Sequence, residues 1–85
     1  MNVFKQAIEF YGETNQKRML QEECAELIQA ISKDIRGEQH NVEEEIADVL
    51  ILLEQVLRIY DKDIVSGWYD YKIKLLKTKI KEGVK

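Results

Sequence analysis

The chain has 85 residues, a formal net charge of −3 and one cysteine, Cys24. A chain of this length forms a single domain, here 1–85, whose one core stabilises a monomer only marginally, so metal or self-association is expected to help. The lone thiol excludes an internal disulfide and points to a reducing, cytoplasmic setting; no apolar run is long enough to span a membrane, and the N-terminus is not laid out as a signal peptide.

Apolar residues recur at helical spacing along the whole chain. A short first helix uses Val3, Phe4, Ala7, Ile8 and Tyr11, with Gly12 as its stop. A second runs from about Asn15 to Arg36, with Leu20, Cys24, Leu27, Ile28, Ile31 and Ile35 in one stripe and Gly37 where a C-terminal cap belongs. Asn41 opens a third, with Glu44 completing an Asn-x-x-Glu capping box, and this helix is expected to reach about Tyr60. A fourth starts near Asp63 or Ser66 and carries Ile64, Trp68, Tyr71, Leu75, Leu76 and Ile80. There is no proline, and no Gly/Ser-rich tract marks a boundary. Short loops join antiparallel neighbours, so the expected fold is all-α: a four-helix bundle-type domain, completed by oligomerisation as a homodimer or homotetramer.

Charge is unevenly spread. Residues 1–71 hold seven Lys/Arg against fifteen Asp/Glu, a balance of −8; residues 72–85 hold six Lys against one Glu, a balance of +5. On an acidic protein a Lys-rich helix face more often meets water or the protein's own acids than nucleic acid, so nucleic acid is not an expected partner.

The two most aliphatic segments repeat a pattern. Glu22–Ile31 reads EECAELIQAI, and Glu44–Leu53 reads EEIADVLILL. At about 100° per residue, Glu23 lies about 100° and Glu26 about 160° to one side of Cys24, and Glu45 and Asp48 take the same positions relative to Ile46. Each helix thus projects an i, i+3 carboxylate pair from one flank of its apolar stripe. Antiparallel packing can bring the four acids together, where bare charges repel and lose hydration. A divalent cation resolves that, and all-oxygen ligands favour a hard ion, Mg²⁺ or Mn²⁺. The only histidine, His40, lies in a loop, which disfavours zinc and di-iron centres.

With these residues the chain resembles the all-α nucleoside triphosphate pyrophosphohydrolases of the MazG-like superfamily, whose signature is EExxE followed at a distance by ExxD. Here it is Glu22-Glu23-Cys24-Ala25-Glu26, eighteen residues, then Glu45-Ile46-Ala47-Asp48. The resemblance runs from YGETNQ to the Lys-rich fourth helix. It implies hydrolysis of a nucleoside or deoxynucleoside triphosphate to monophosphate and pyrophosphate by a metal-activated water, with Mg²⁺ held by Glu23, Glu26, Glu45 and Asp48. Glu22 is read as a surface residue, or as a support for those ligands. Related small members carry a Lys followed seven residues later by Arg or Lys. Lys72 and Lys79 match, on the Trp68/Leu75 face, and would hold phosphate oxygens; snorkelling from the core edge, or pairing with the acidic cluster, is the equally weighted alternative. Gln16, just upstream of the first acidic pair, is a candidate base contact. The rival reading is a non-catalytic helical dimerisation or partner-binding module with a vestigial acidic site.

Overall fold

The computed structural model describes residues 2–83, and these contain helices and turns but no strand. The helices are α1 (Val3–Tyr11), α2 (Glu13–Ile35), α3 (Val42–Val56) and α4 (Lys62–Glu82). The ends have local causes. Asn2 Oδ1 accepts the Phe4 N–H at 2.7 Å and opens α1. Gly12, at φ 85°, donates to the Ile8 carbonyl and accepts from the Gln16 N–H. One glycine in a conformation that a Cβ disfavours therefore ends α1 and starts α2, which is why α2 begins before Asn15.

After α2, the Gly37 N–H donates to the Asp34 carbonyl and the Glu38 N–H to the Lys33 carbonyl, the paired bonds of a Schellman turn. The expected capping box at Asn41 takes a different form. The Val42 N–H donates to His40 Nδ1 (3.2 Å), and His40 Nε2 lies 3.2 Å from Asp34 Oδ1, so histidine ties the start of α3 to the end of α2. Asn41 gives its side chain to the acids instead: Nδ2 donates to Glu44 Oε1 (3.0 Å) and Glu45 Oε1 (2.9 Å). α3 stops at Val56, short of Tyr60, because the Arg58 and Ile59 N–H groups turn back three residues to the Gln55 and Val56 carbonyls. Asp61 Oδ1 then accepts from the Asp63 and Ile64 N–H groups and sets the start of α4 at Lys62.

Helices α2 and α3 pack as an antiparallel hairpin, and α1 lies against both. Ala30, Leu52 and Val56 are the buried apolar residues. Much of the expected α2 stripe is outside this core: Ile28, Ile31 and Ile35 are exposed, Ile35 by 80%. The line that meets α3 is instead Gln16, Glu23 and Ala30, spaced by seven, and thus nearly aligned along the helix.

The four helices do not close into a bundle within one chain. Among the described residues, no Cα of α4 comes within 8 Å of a Cα in α1, α2 or α3. The radius of gyration is 16.1 Å, against roughly 12 Å for a compact chain of this length. The corner before α4 is pinned from both sides. The Arg58 guanidinium stacks on the Phe4 ring of α1 (4.9 Å), and Lys17 of α2 sits over the Tyr60 ring (4.8 Å). Arg58 also pairs with Glu54 one turn back. No helix among the described residues is long and apolar enough to cross a membrane.

Candidate metal and nucleotide site

The antiparallel hairpin fixes which acids meet. Glu23 projects from the middle of α2 towards the first half of α3, where Glu45 and Asp48 lie one turn apart. One carboxylate oxygen from each of Glu23, Glu45 and Asp48 lies within 4.8 Å of the other two. Glu45 is buried, and Glu23 and Asp48 are half-buried. Glu23 Oε2 and Glu45 Oε2 are sealed from solvent without a hydrogen-bond partner. Among the described residues, no Lys or Arg forms an ion pair with these three acids. Buried anions without a counter-charge are costly, and the Glu23 carboxyl shows it. Partial removal from water, the charges of Glu26 and Asp48, a hydrogen bond with Glu26 and the charge of Glu45 push it from 4.5 up to about 7.

A divalent cation fits this donor set. The oxygens are close enough to share one ion, they are hard ligands, and two of them lack any other partner. Glu26, the fourth expected ligand, is not one of the close three. It is exposed and lies beside Glu23, one turn along α2. Glu22 is also exposed, which fits its reading as a surface residue.

Glu23 and Asp48 open onto a cleft of about 230 Å³ that runs along the seam past Tyr11, Met19, Ile51 and Gln55. Gln16 lies deeper on the same line of α2, with no exposed surface; its Nε2 donates to Met19 Sδ (3.6 Å), and its Oε1 has no partner. Opposite it in the antiparallel register, seven residues beyond Asp48, Gln55 also carries a buried Oε1 without a partner. The seam thus continues from carboxylates to amides. Lys72 and Lys79 are not brought to it by their own chain, because α4 leaves the hairpin. Lys72 instead lies over the Trp68 ring at 5.9 Å.

Sequence reading identified Asn41 only as a cap. Its position four residues before Glu45 carried the missed signal, since i and i+4 side chains meet on a helix face. By holding Glu45 Oε1, Asn41 leaves Oε2 as the free oxygen of that carboxylate. Asn41→Ala is therefore expected to weaken Mg²⁺ binding by about 10- to 100-fold, the usual cost of losing a partner that orients a ligand. Calorimetric titration of the folded variant checks this, and an unchanged affinity would show that the hydrogen bond does not orient Glu45.

Known proteins bear on the same residues. The family model described as the MazG nucleotide pyrophosphohydrolase domain matches residues 12–70, which include all of α2 and α3 and the first part of α4. No curated protein and no solved structure matches the chain. With the match covering well over half of the 85 residues and both acidic pairs, the chain belongs to the MazG nucleotide pyrophosphohydrolase domain family.

Proposed function

We propose that this chain hydrolyses a nucleoside or deoxynucleoside triphosphate to the monophosphate and pyrophosphate, using Mg²⁺ or Mn²⁺ bound by Glu23, Glu45 and Asp48 with Glu26 at the rim. The observation that carries this reading is the meeting of three carboxylates from two helices within 4.8 Å, beside an open cleft. When bound, such an ion neutralises phosphate oxygens and makes a water acidic enough to attack phosphorus. The chain's own groups do the rest. Glu45, fixed by Asn41, and Asp48 present oxygens from one rigid helix, so ligand geometry is set before substrate arrives. Glu23 would give up its proton to a bound cation, whose positive charge would offset the partial removal from water and the repulsion from Glu26, Asp48 and Glu45 that push its carboxyl up to about 7. In the net reaction a water oxygen bonds to one of the two phosphorus atoms of the α–β bridge, that phosphorus loses its bond to the bridging oxygen, which stays on the other, and a water proton is released to solvent, giving monophosphate and pyrophosphate.

Lys72 and Lys79 are assigned to the phosphate oxygens, as compact point charges. The amide of Gln16 is assigned to the base end of the cleft; its sealed position requires the seam to open when nucleotide enters. The half-buried Cys24 thiol fits a reducing, cytoplasmic setting. The exposed apolar residues of α4, Ile64, Trp68, Tyr69 and Ile80, support self-association as a homodimer or homotetramer.

Incubation with a panel of ribo- and deoxynucleoside triphosphates and Mg²⁺ tests the reaction directly. Monophosphate and pyrophosphate should appear in equal amounts, and EDTA should stop their formation. Diphosphate with orthophosphate, or no turnover of any nucleotide, would refute the assignment.

A further inference from the structure

The seam between α2 and α3 buries amides as well as acids, and their carbonyl ends are unsatisfied. Gln16 has no exposed surface, and neither its Oε1 nor the sealed Oε1 of Gln55 accepts a hydrogen bond. A buried carbonyl oxygen without a donor is costly, and an apolar side chain of similar size would avoid that cost. Two such oxygens in one seam suit a ligand that arrives with N–H donors. Their position narrows the choice. Gln16 stands two turns before Glu23 on α2, and Gln55 two turns after Asp48 on α3. In the antiparallel hairpin they therefore oppose each other, roughly 10 Å along the seam from the acids. Between them and the acids, Tyr11, Met19 and Ile51 wall the cleft with apolar surface against which a ring can lie.

Building on the proposed activity, in which the acids and their cation hold the phosphates, we infer that Gln16 and Gln55 read the nucleobase. They select an exocyclic amino group at the position where cytosine and adenine carry one, and where uracil, thymine and guanine carry an oxygen. The lengths agree. In both amino bases ten covalent bonds, spanning roughly 10 Å once folded at their bond angles, separate the α-phosphorus from the amino nitrogen. One amino hydrogen goes to each Oε1. Met19 is the movable part. Gln16 Nε2 holds its Sδ at 3.6 Å, a weak acceptor on an unbranched side chain that swings aside at little cost. The freed N–H then donates to the ring nitrogen beside the amino carbon, which is unprotonated in cytosine and adenine. This is the two-point contact by which a glutamine amide recognises an amino base. An oxo base presents the opposite pattern: an oxygen faces both Oε1 atoms, and an N–H stands where Nε2 points. Both amides would have to turn over together to accept it.

CTP and UTP test this, because they are nearly the same size and differ in the base only in the amino or oxo group and the proton on the neighbouring ring nitrogen. With Mg²⁺, kcat/KM of the wild type should be about 10- to 100-fold higher for CTP than for UTP, and higher for ATP than for GTP. Gln55→Leu keeps the bulk and removes the acceptor. It should bring the CTP/UTP ratio to within about threefold of one, mainly through lost CTP turnover. Equal turnover of CTP and UTP by the wild type, or a preference for UTP, would overturn the inference and leave triphosphate hydrolysis standing. That is also the result if the amides only hold a buried water between them. An unchanged ratio in folded Gln55→Leu would overturn it too. Calorimetric titration with CMP and UMP gives a readout independent of turnover. CMP should bind at least about 10-fold more tightly, which would support the base site even if no triphosphate were hydrolysed; equal affinities would overturn it whatever the enzyme hydrolyses.

Discussion

Asp48→Asn is expected to lower kcat/KM for triphosphate hydrolysis by at least about 100-fold, because a metal that stabilises the transition state contributes several kcal/mol and each 1.4 kcal/mol is a factor of ten. The substitution keeps the size of the side chain and replaces a charged oxygen with an amide. Asp48 is half-buried on α3 and one of its oxygens is within 4.8 Å of oxygens from Glu23 and Glu45, so the change removes an anionic donor from the centre of the group. It also removes one of the charges that hold the Glu23 carboxyl up. Folding should survive and even improve, since repulsion falls. A variant that is folded and inactive, with a weakened response to Mg²⁺, is the predicted result. Steady-state kinetics and thermal melts on the same preparation check it. Activity within threefold of wild type would remove Asp48 from the site.

The second large effect concerns stability. Mg²⁺ at a hundred times its Kd stabilises the native state by about 2.7 kcal/mol, which raises Tm by roughly 10–20 °C in a domain of this size. The effect should depend on pH with a sign set by Glu23. Its carboxyl has an ordinary pKa of 4.5 and is pushed up to about 7 in the folded chain. The folded state therefore holds that proton more tightly than the unfolded state. This contribution to stability is fully present below pH 4.5 and is lost as pH rises through 7. In the metal-free protein, Tm should fall across that window. The Mg²⁺-induced rise should be larger at pH 8 than at pH 5, because proton and cation compete for the same oxygens. Glu23→Gln should flatten both trends. Thermal melts of wild type and Glu23→Gln at the two pH values, with and without Mg²⁺, decide the matter. A metal response in wild type that is no larger at pH 8 than at pH 5 would contradict the coupling.

Much of the local order is legible in the sequence, because its causes are local. Gly12 and Gly37 mark helix ends through their own backbone conformations, and the i, i+3 acids share a helix flank wherever that helix goes. The repeat therefore carries both the chemistry of the site and three of the oxygens that meet: Glu23, Glu45 and Asp48. Periodicity relates residues on one helix to each other, however, and leaves open which face a second helix will cover. Ile28, Ile31 and Ile35 form as good an apolar stripe as any in the chain, yet they are exposed, while Gln16 is fully buried. Rotation of α2 against α3 chose between those faces, and the same rotation leaves Glu26 at the rim. The direction of α4 is a further tertiary decision. It depends on contacts between residues far apart in sequence, Arg58 with Phe4 and Tyr60 with Lys17. A cation over an aromatic ring has no spacing rule by which a sequence could reveal it. Sequence alone thus determined the four helices, the glycine stops at Gly12 and Gly37 and the acidic pairs; the packing of side chains from separate helices decided which acids meet and carried the lysines of α4 away from them.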